Sequence, residues 1–74
     1  MRPAPEVRTT LGSSLLAAMR YSPQATLDLE FRSGAVYRYF TVPRAVVHGL
    51  HAAESKGAYF NRSIKDRFPY QRLV

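Results

Sequence analysis

Cysteine is absent from the 74-residue sequence, which excludes disulfides and thiolate metal sites. Long apolar runs are missing as well. The stretch LLAAM at 15–19 is too short for a signal-peptide core or a membrane span, and Arg20 closes it. The expectation is a cytoplasmic protein with no membrane association. Acidic side chains are scarce: five Asp and Glu stand against eleven Lys and Arg, a formal net charge of +6. Metal ligands are few. His48 and His51 are three apart on a candidate helix, a spacing that can share a metal, but no third ligand is placed beside them, so no metal or cofactor is expected.

Length allows one domain with a small core, since a chain of this size buries only about 60–65% of the surface its unfolded form exposes. The charge is unevenly spread. Residues 54–74 carry Lys56, Arg62, Lys65, Arg67 and Arg72 against Glu54 and Asp66. Such a domain attracts polyanions through its field alone.

Residues 1–12, "MRPAPEVRTTLG", hold two prolines and no apolar period, and read as a flexible N-terminal arm whose end can extend into a sheet; the domain proper is expected over 13–74. The segment "SSLLAAMRYS" at 13–22 is ambiguous. Leu, Ala and Met favour a helix, while alternation sets Leu15, Ala17, Met19 and Tyr21 on one side of a strand. Propensity alone leans to the helix. The next segment is clearer: Leu27, Leu29 and Phe31 alternate with Asp28, Glu30 and Arg32, Ser33-Gly34 signals a turn, and "AVYRYFTV" is rich in aromatic and β-branched residues. Together they predict a hairpin.

Loop length decides its faces, because a one-residue slip exchanges them. A two-residue turn at Ser33-Gly34 would pair Leu29 with Arg38 and bring a guanidinium onto the apolar face. A three-residue loop ending in Gly34, with the glycine in the left-handed region, pairs Leu29 with Tyr37 and Leu27 with Tyr39 instead. Arg38 then joins Asp28 and Glu30. Cross-strand pairs of that kind contribute about 0.2–1 kcal/mol each, whereas an unpaired buried charge costs on the order of several kcal/mol. The three-residue loop is therefore expected. It sends the tyrosine rings toward the apolar face, where a core role is favoured over an open platform for stacking bases.

Pro43 suits a helix start, and "RAVVHGLHAA" gathers Val46 or Val47, Leu50 and Ala53 on one face. Ser55 can cap a second helix, "KGAYFNRSIKDRF", in which Phe60, Ile64 and Phe68 recur every four residues until Pro69 ends it. Its N-terminus at Ser55-Lys56-Gly57 offers backbone N–H groups to a phosphate.

The ordered set of Tyr21, "LDLEFRSGAVYRYFTVP" with its Tyr37-x-Tyr39, and "AAESKGAYFNRSIKDRFP" with Ser55-x-Gly57-x-Tyr59-Phe60-Asn61 resembles the KTSC domain family, a short bacterial and phage-associated module also found at the C-terminus of some lysyl-tRNA synthetases. The family tends to carry a glycine before the first tyrosine, where this chain has Arg20. The resemblance implies an α+β fold, with a three-stranded antiparallel meander followed by two short helices packed on one face. Residues 14–21 then become a strand rather than a helix, which also gives the helices a broader base than a lone hairpin. It supplies no catalytic residues, and its tie to a tRNA-charging enzyme suggests RNA.

No nucleophile sits beside a base and no carboxylate pair is placed for acid–base work, so an enzyme is not expected. The function expected is a small non-catalytic nucleic-acid-binding module, RNA favoured over DNA. The candidate contacts are Arg38, Tyr39, Lys56, Tyr59, Arg62, Lys65 and Arg67. The alternative is an accessory domain docking an acidic protein partner. Either is compatible with a monomer or a weak homodimer formed through the edge of the first strand.

Overall fold

A computed structural model describes residues 8–74; residues 1–7 of the expected N-terminal arm lie outside the described residues. The elements in chain order are β1 (Thr9–Thr10), β2 (Leu16–Tyr21), β3 (Leu27–Phe31), β4 (Val36–Tyr39), α1 (Arg44–Ala52), α2 (Lys56–Ser63) and β5 (Tyr70–Arg72). The strands form one antiparallel sheet in the order β1-β2-β3-β4-β5, with both helices inserted between β4 and β5. The α+β class is as expected, but the sheet has five strands rather than three. The two additions are short edge strands: β1, at the end of the segment read as an arm, and β5, beyond the proline read as the end of the second helix.

The central hairpin follows the charge argument. Leu27 faces Tyr39, Asp28 faces Arg38 and Leu29 faces Tyr37. Gly34 closes the three-residue loop at φ 97°, a conformation open to glycine, and its N–H donates to the Phe31 carbonyl at 2.9 Å. On the outer face Arg38 grips Asp28 with two bonds of 2.8 and 2.9 Å. Arg8, just before β1, holds Glu30 the same way at 2.8 and 3.0 Å, and this contact lowers the Glu30 pKa.

Segment 13–22 is a strand against its helical propensity, and its alternation is broken. The pairing with β3 shifts between Leu16 and Ala18, so Ala17 is an extra residue in the ladder. Leu16 rather than Leu15 therefore joins Met19 in the core, and Leu15 is left largely exposed.

The helices cover the inner face. Val47 and Leu50 of α1 and Phe60 of α2, followed by Ile64, pack against Leu16, Leu27, Leu29 and Tyr39. Ser55 caps α2 by accepting from the Ala58 N–H. The helix then stops at Ser63, five residues short of the expected end at Phe68. Ile64 leaves helical geometry, Asp66 takes φ 61°, which Asp tolerates better than most residues, and the chain turns back toward β5. Phe68 still packs on the core, but from the turn.

Candidate nucleic-acid interface

Pairing β5 onto β4 decides what the inner face offers. Tyr70 lies opposite Tyr39 and Arg72 opposite Tyr37, so both point to the helix side, while Gln71 lies opposite Arg38 on the outer side. Because α2 ends early, this corner of the sheet is only partly covered. A groove of about 530 Å³ opens between the sheet and the C-terminal end of α2. Its walls are largely aromatic, from Phe31, Tyr37, Tyr39, Phe60 and Tyr70, and Asn61, Lys65, Asp66 and Arg72 add polar groups.

The rings support one another. Tyr37 and Tyr39 are near-parallel, with centroids 6.4 Å apart, and Tyr70 leans on both at 5.6 and 5.7 Å. Phe60 meets Tyr39 edge-on at 6.0 Å and Phe31 at 5.3 Å. The Arg72 guanidinium lies 5.8 Å from the Tyr37 ring centroid, within cation–π range. Exposure grades across the cluster: Tyr39 is 4% exposed, Tyr37 is half-buried and Tyr70 is 56% exposed. Burial, reinforced by Tyr37, Tyr70 and Asp66, pushes the Tyr39 phenol up to about 12.

The seven residues proposed from sequence do not form one patch. Arg38 lies on the outer face of the sheet, bound to Asp28, on the side opposite the helices. Tyr39 is the buried floor of the groove and leaves no open ring face for a base. Tyr59 is wedged between the helices, its hydroxyl donating to the Val46 carbonyl at 2.9 Å. The ring fits because residue 49 is glycine: a Cβ there would stand 2.7 Å from Tyr59 Cζ. Lys56 reaches back to the Ala53 carbonyl at 2.9 Å, and a Cβ added at Gly57 would stand 3.6 Å from Leu15, so the start of α2 lies close to the segment entering β2.

Arg62, Lys65 and Arg67 do cluster, on the last turn of α2 and the turn that follows. Arg62 lies over the Tyr59 ring at 5.8 Å, and Arg67 donates to the Arg62 carbonyl at 3.3 Å. Sequence reasoning missed Tyr70, and it noted Arg72 only as a charge. The available signal was Tyr70-x-Arg72 after a proline, a period-2 pattern too short to stand alone.

Among the described residues no helix is long and apolar enough to cross a membrane, and no group of three metal-ligating side chains is found.

The model of the KTSC domain matches residues 12–68. A lysine–tRNA ligase of Nostoc sp. is 49% identical over 61 residues, 81% of this chain but 11% of that protein, so the chain spans about a tenth of the ligases it matches. A small protein of Stutzerimonas stutzeri is 44% identical over 68 residues, covering 89% of this chain and 96% of its own length. Among solved structures, a KTSC domain protein from Yersinia pestis superposes with a TM-score of 0.89 at 28% identity, over 95% of this chain and all of that one. By sequence and by fold, the chain belongs to the KTSC domain family.

Proposed function

We propose that the domain is a non-catalytic nucleic-acid-binding module, with RNA preferred over DNA. The observation that carries this reading is the segregation of charge. Among the described residues both ion pairs lie on the outer face of the sheet, where Asp28 and Glu30 offset Arg38 and Arg8. The α2–β5 side carries Arg62, Lys65, Arg67 and Arg72 against the one carboxylate of Asp66. Arg67 donates to the Arg62 backbone carbonyl, which orients a guanidinium without cancelling its charge. Four cations on one side beside an aromatic groove suit a strand of phosphates and bases. Similarity to proteins named lysine–tRNA ligases supports RNA as the polymer.

With about four phosphates contacted on a single strand, log affinity falls with log salt at a slope of roughly −3. Titrating labelled single-stranded RNA, tRNA and duplex DNA at several salt concentrations tests this, and an affinity indifferent to salt rejects it.

One observation favours a second reading, an accessory domain that docks an acidic protein partner. Strand β5 is a sheet edge, and Tyr70, Leu73 and Val74 leave apolar surface exposed along and beyond it. Charge reversal at Arg62 and Lys65 separates the two: RNA binding is lost under the first reading, while under the second only weak, unselective RNA binding existed to lose.

A further inference from the structure

We propose that the groove between β5 and the end of α2 is a pocket for an unstacked nucleobase of a single strand, with the adjoining phosphates taken by Lys65 and Arg72. This rests on the nucleic-acid reading and deepens it by assigning the contact that distinguishes single strands from duplexes.

Three features of the groove select that occupant. Its walls carry aromatic rings: Tyr70 is more than half exposed and Tyr37 half-buried, Tyr39 packs against both, and Phe60 meets Tyr39 edge-on. Its charge is asymmetric, with Lys65 and Arg72 in the lining against the single carboxylate of Asp66, so an anionic ligand is favoured over a neutral apolar one. Its size, about 530 Å³, is in the range of a small-ligand site and leaves room for an unstacked base. A base in a duplex is held within its own stack and keeps its faces from these rings. A base in a single strand can leave the stack, lie against Tyr70 and Tyr37, and set its flanking phosphates toward the two cations. Asn61 and Asp66 then supply an amide and an acceptor near the base edge.

Tyr70 is the residue to change, because it is exposed and its side chain makes no hydrogen bond among the described residues. Tyr70→Leu keeps an apolar side chain on β5 and removes the π face. The probes are fluorescent ten-nucleotide single-stranded RNAs and a duplex RNA of matched phosphate number, measured by anisotropy, with a melting curve for each variant. Tyr70→Leu is expected to weaken single-strand binding by about tenfold, the loss of one stacked base, with the salt slope unchanged. Lys65→Gln with Arg72→Gln is expected to flatten the slope by about 1.4. Tyr70→Phe, which keeps the ring, is expected to bind as the parent does.

A folded Tyr70→Leu that binds single strands like the parent, or a parent that binds the duplex equally well, overturns the groove assignment and leaves the electrostatic reading standing. A parent that binds none of these probes overturns both. A proline-rich peptide that binds the groove in place of RNA also overturns the assignment, because such a ligand needs the aromatic walls but not the cations.

Discussion

Replacing Gly49 with alanine in α1 sets two well-measured effects against each other. In an exposed helix interior the change is favourable by about 1 kcal/mol, since glycine is the poorer helix former. Here the added methyl would meet the Tyr59 ring, 2.7 Å from Cζ and 2.9 Å from Cε2. The ring cannot swing away freely, because its hydroxyl is bound to the Val46 carbonyl of the same helix. Overpacking of this kind costs about 1–3 kcal/mol, and displacing the hydroxyl forfeits a further hydrogen bond of about 1 kcal/mol. The steric terms outweigh the propensity gain, and the net loss is about 1–3 kcal/mol. For a domain of this size each kcal/mol moves Tm by about 4–8 °C. Thermal melts followed by circular dichroism measure it. The mechanism makes a sharper demand in a second background. With Tyr59→Leu the obstructing atoms are gone, and Gly49→Ala must then raise Tm. If the alanine stabilises the parent, or destabilises both backgrounds equally, the claim that this glycine exists to admit Tyr59 is wrong.

Two further predictions concern β4 and its end. Thr41 is an exposed β-branched residue at φ 59°, and a left-handed conformation costs an ordinary L-residue about 1–2 kcal/mol. Thr41→Asn relieves part of that strain and is expected to shift a urea unfolding midpoint upward by an amount equivalent to about 0.5–1 kcal/mol, while an unchanged or lower midpoint refutes the strain. The Tyr39 phenol, raised to about 12 by burial, keeps its proton over a range where the unfolded chain has lost it. Below pH 10 both states are protonated and stability is untouched; from about pH 10 to 12 the unfolded state ionises first, so stability falls as pH rises. Tyr39→Phe should flatten this alkaline decline, and parallel profiles for the two proteins would show that the phenol is not the group responsible.

What sequence could settle in the sheet was decided wherever one energy term was much larger than its rival. The β3–β4 register is the clearest case, since only one loop length kept Arg38 off the apolar face, and Asp28 was there to receive it. Strand β2 had no such term. Its helical propensity and its alternation were comparable, and the extra residue at Ala17 then spoiled the alternation that would have spoken for the strand. Strands β1 and β5 have two and three residues, fewer than periodicity can register. The end of α2 was misplaced for the opposite reason. Phe60, Ile64 and Phe68 keep a helical spacing through a turn that is not helical, since Phe68 is drawn to the same core by a different backbone path.

That misplaced helix end explains why the core role favoured for Tyr37 and Tyr39 holds in full for Tyr39 and only in part for Tyr37. The register sends both rings to the helix side, which argued for core. A helix continued from Ser63 to Phe68 would run about 7.5 Å further, at 1.5 Å per residue. Because Asp66 turns the chain instead, cover stops at Tyr39. Tyr37 is left half open, the returning strand adds Tyr70 and Arg72 beside it, and the turn itself brings Lys65 and Arg67. The turn that ends the helix is therefore also the segment that carries these cations. One tyrosine became core and its neighbour became wall, and the difference was set by residues nearly thirty positions downstream.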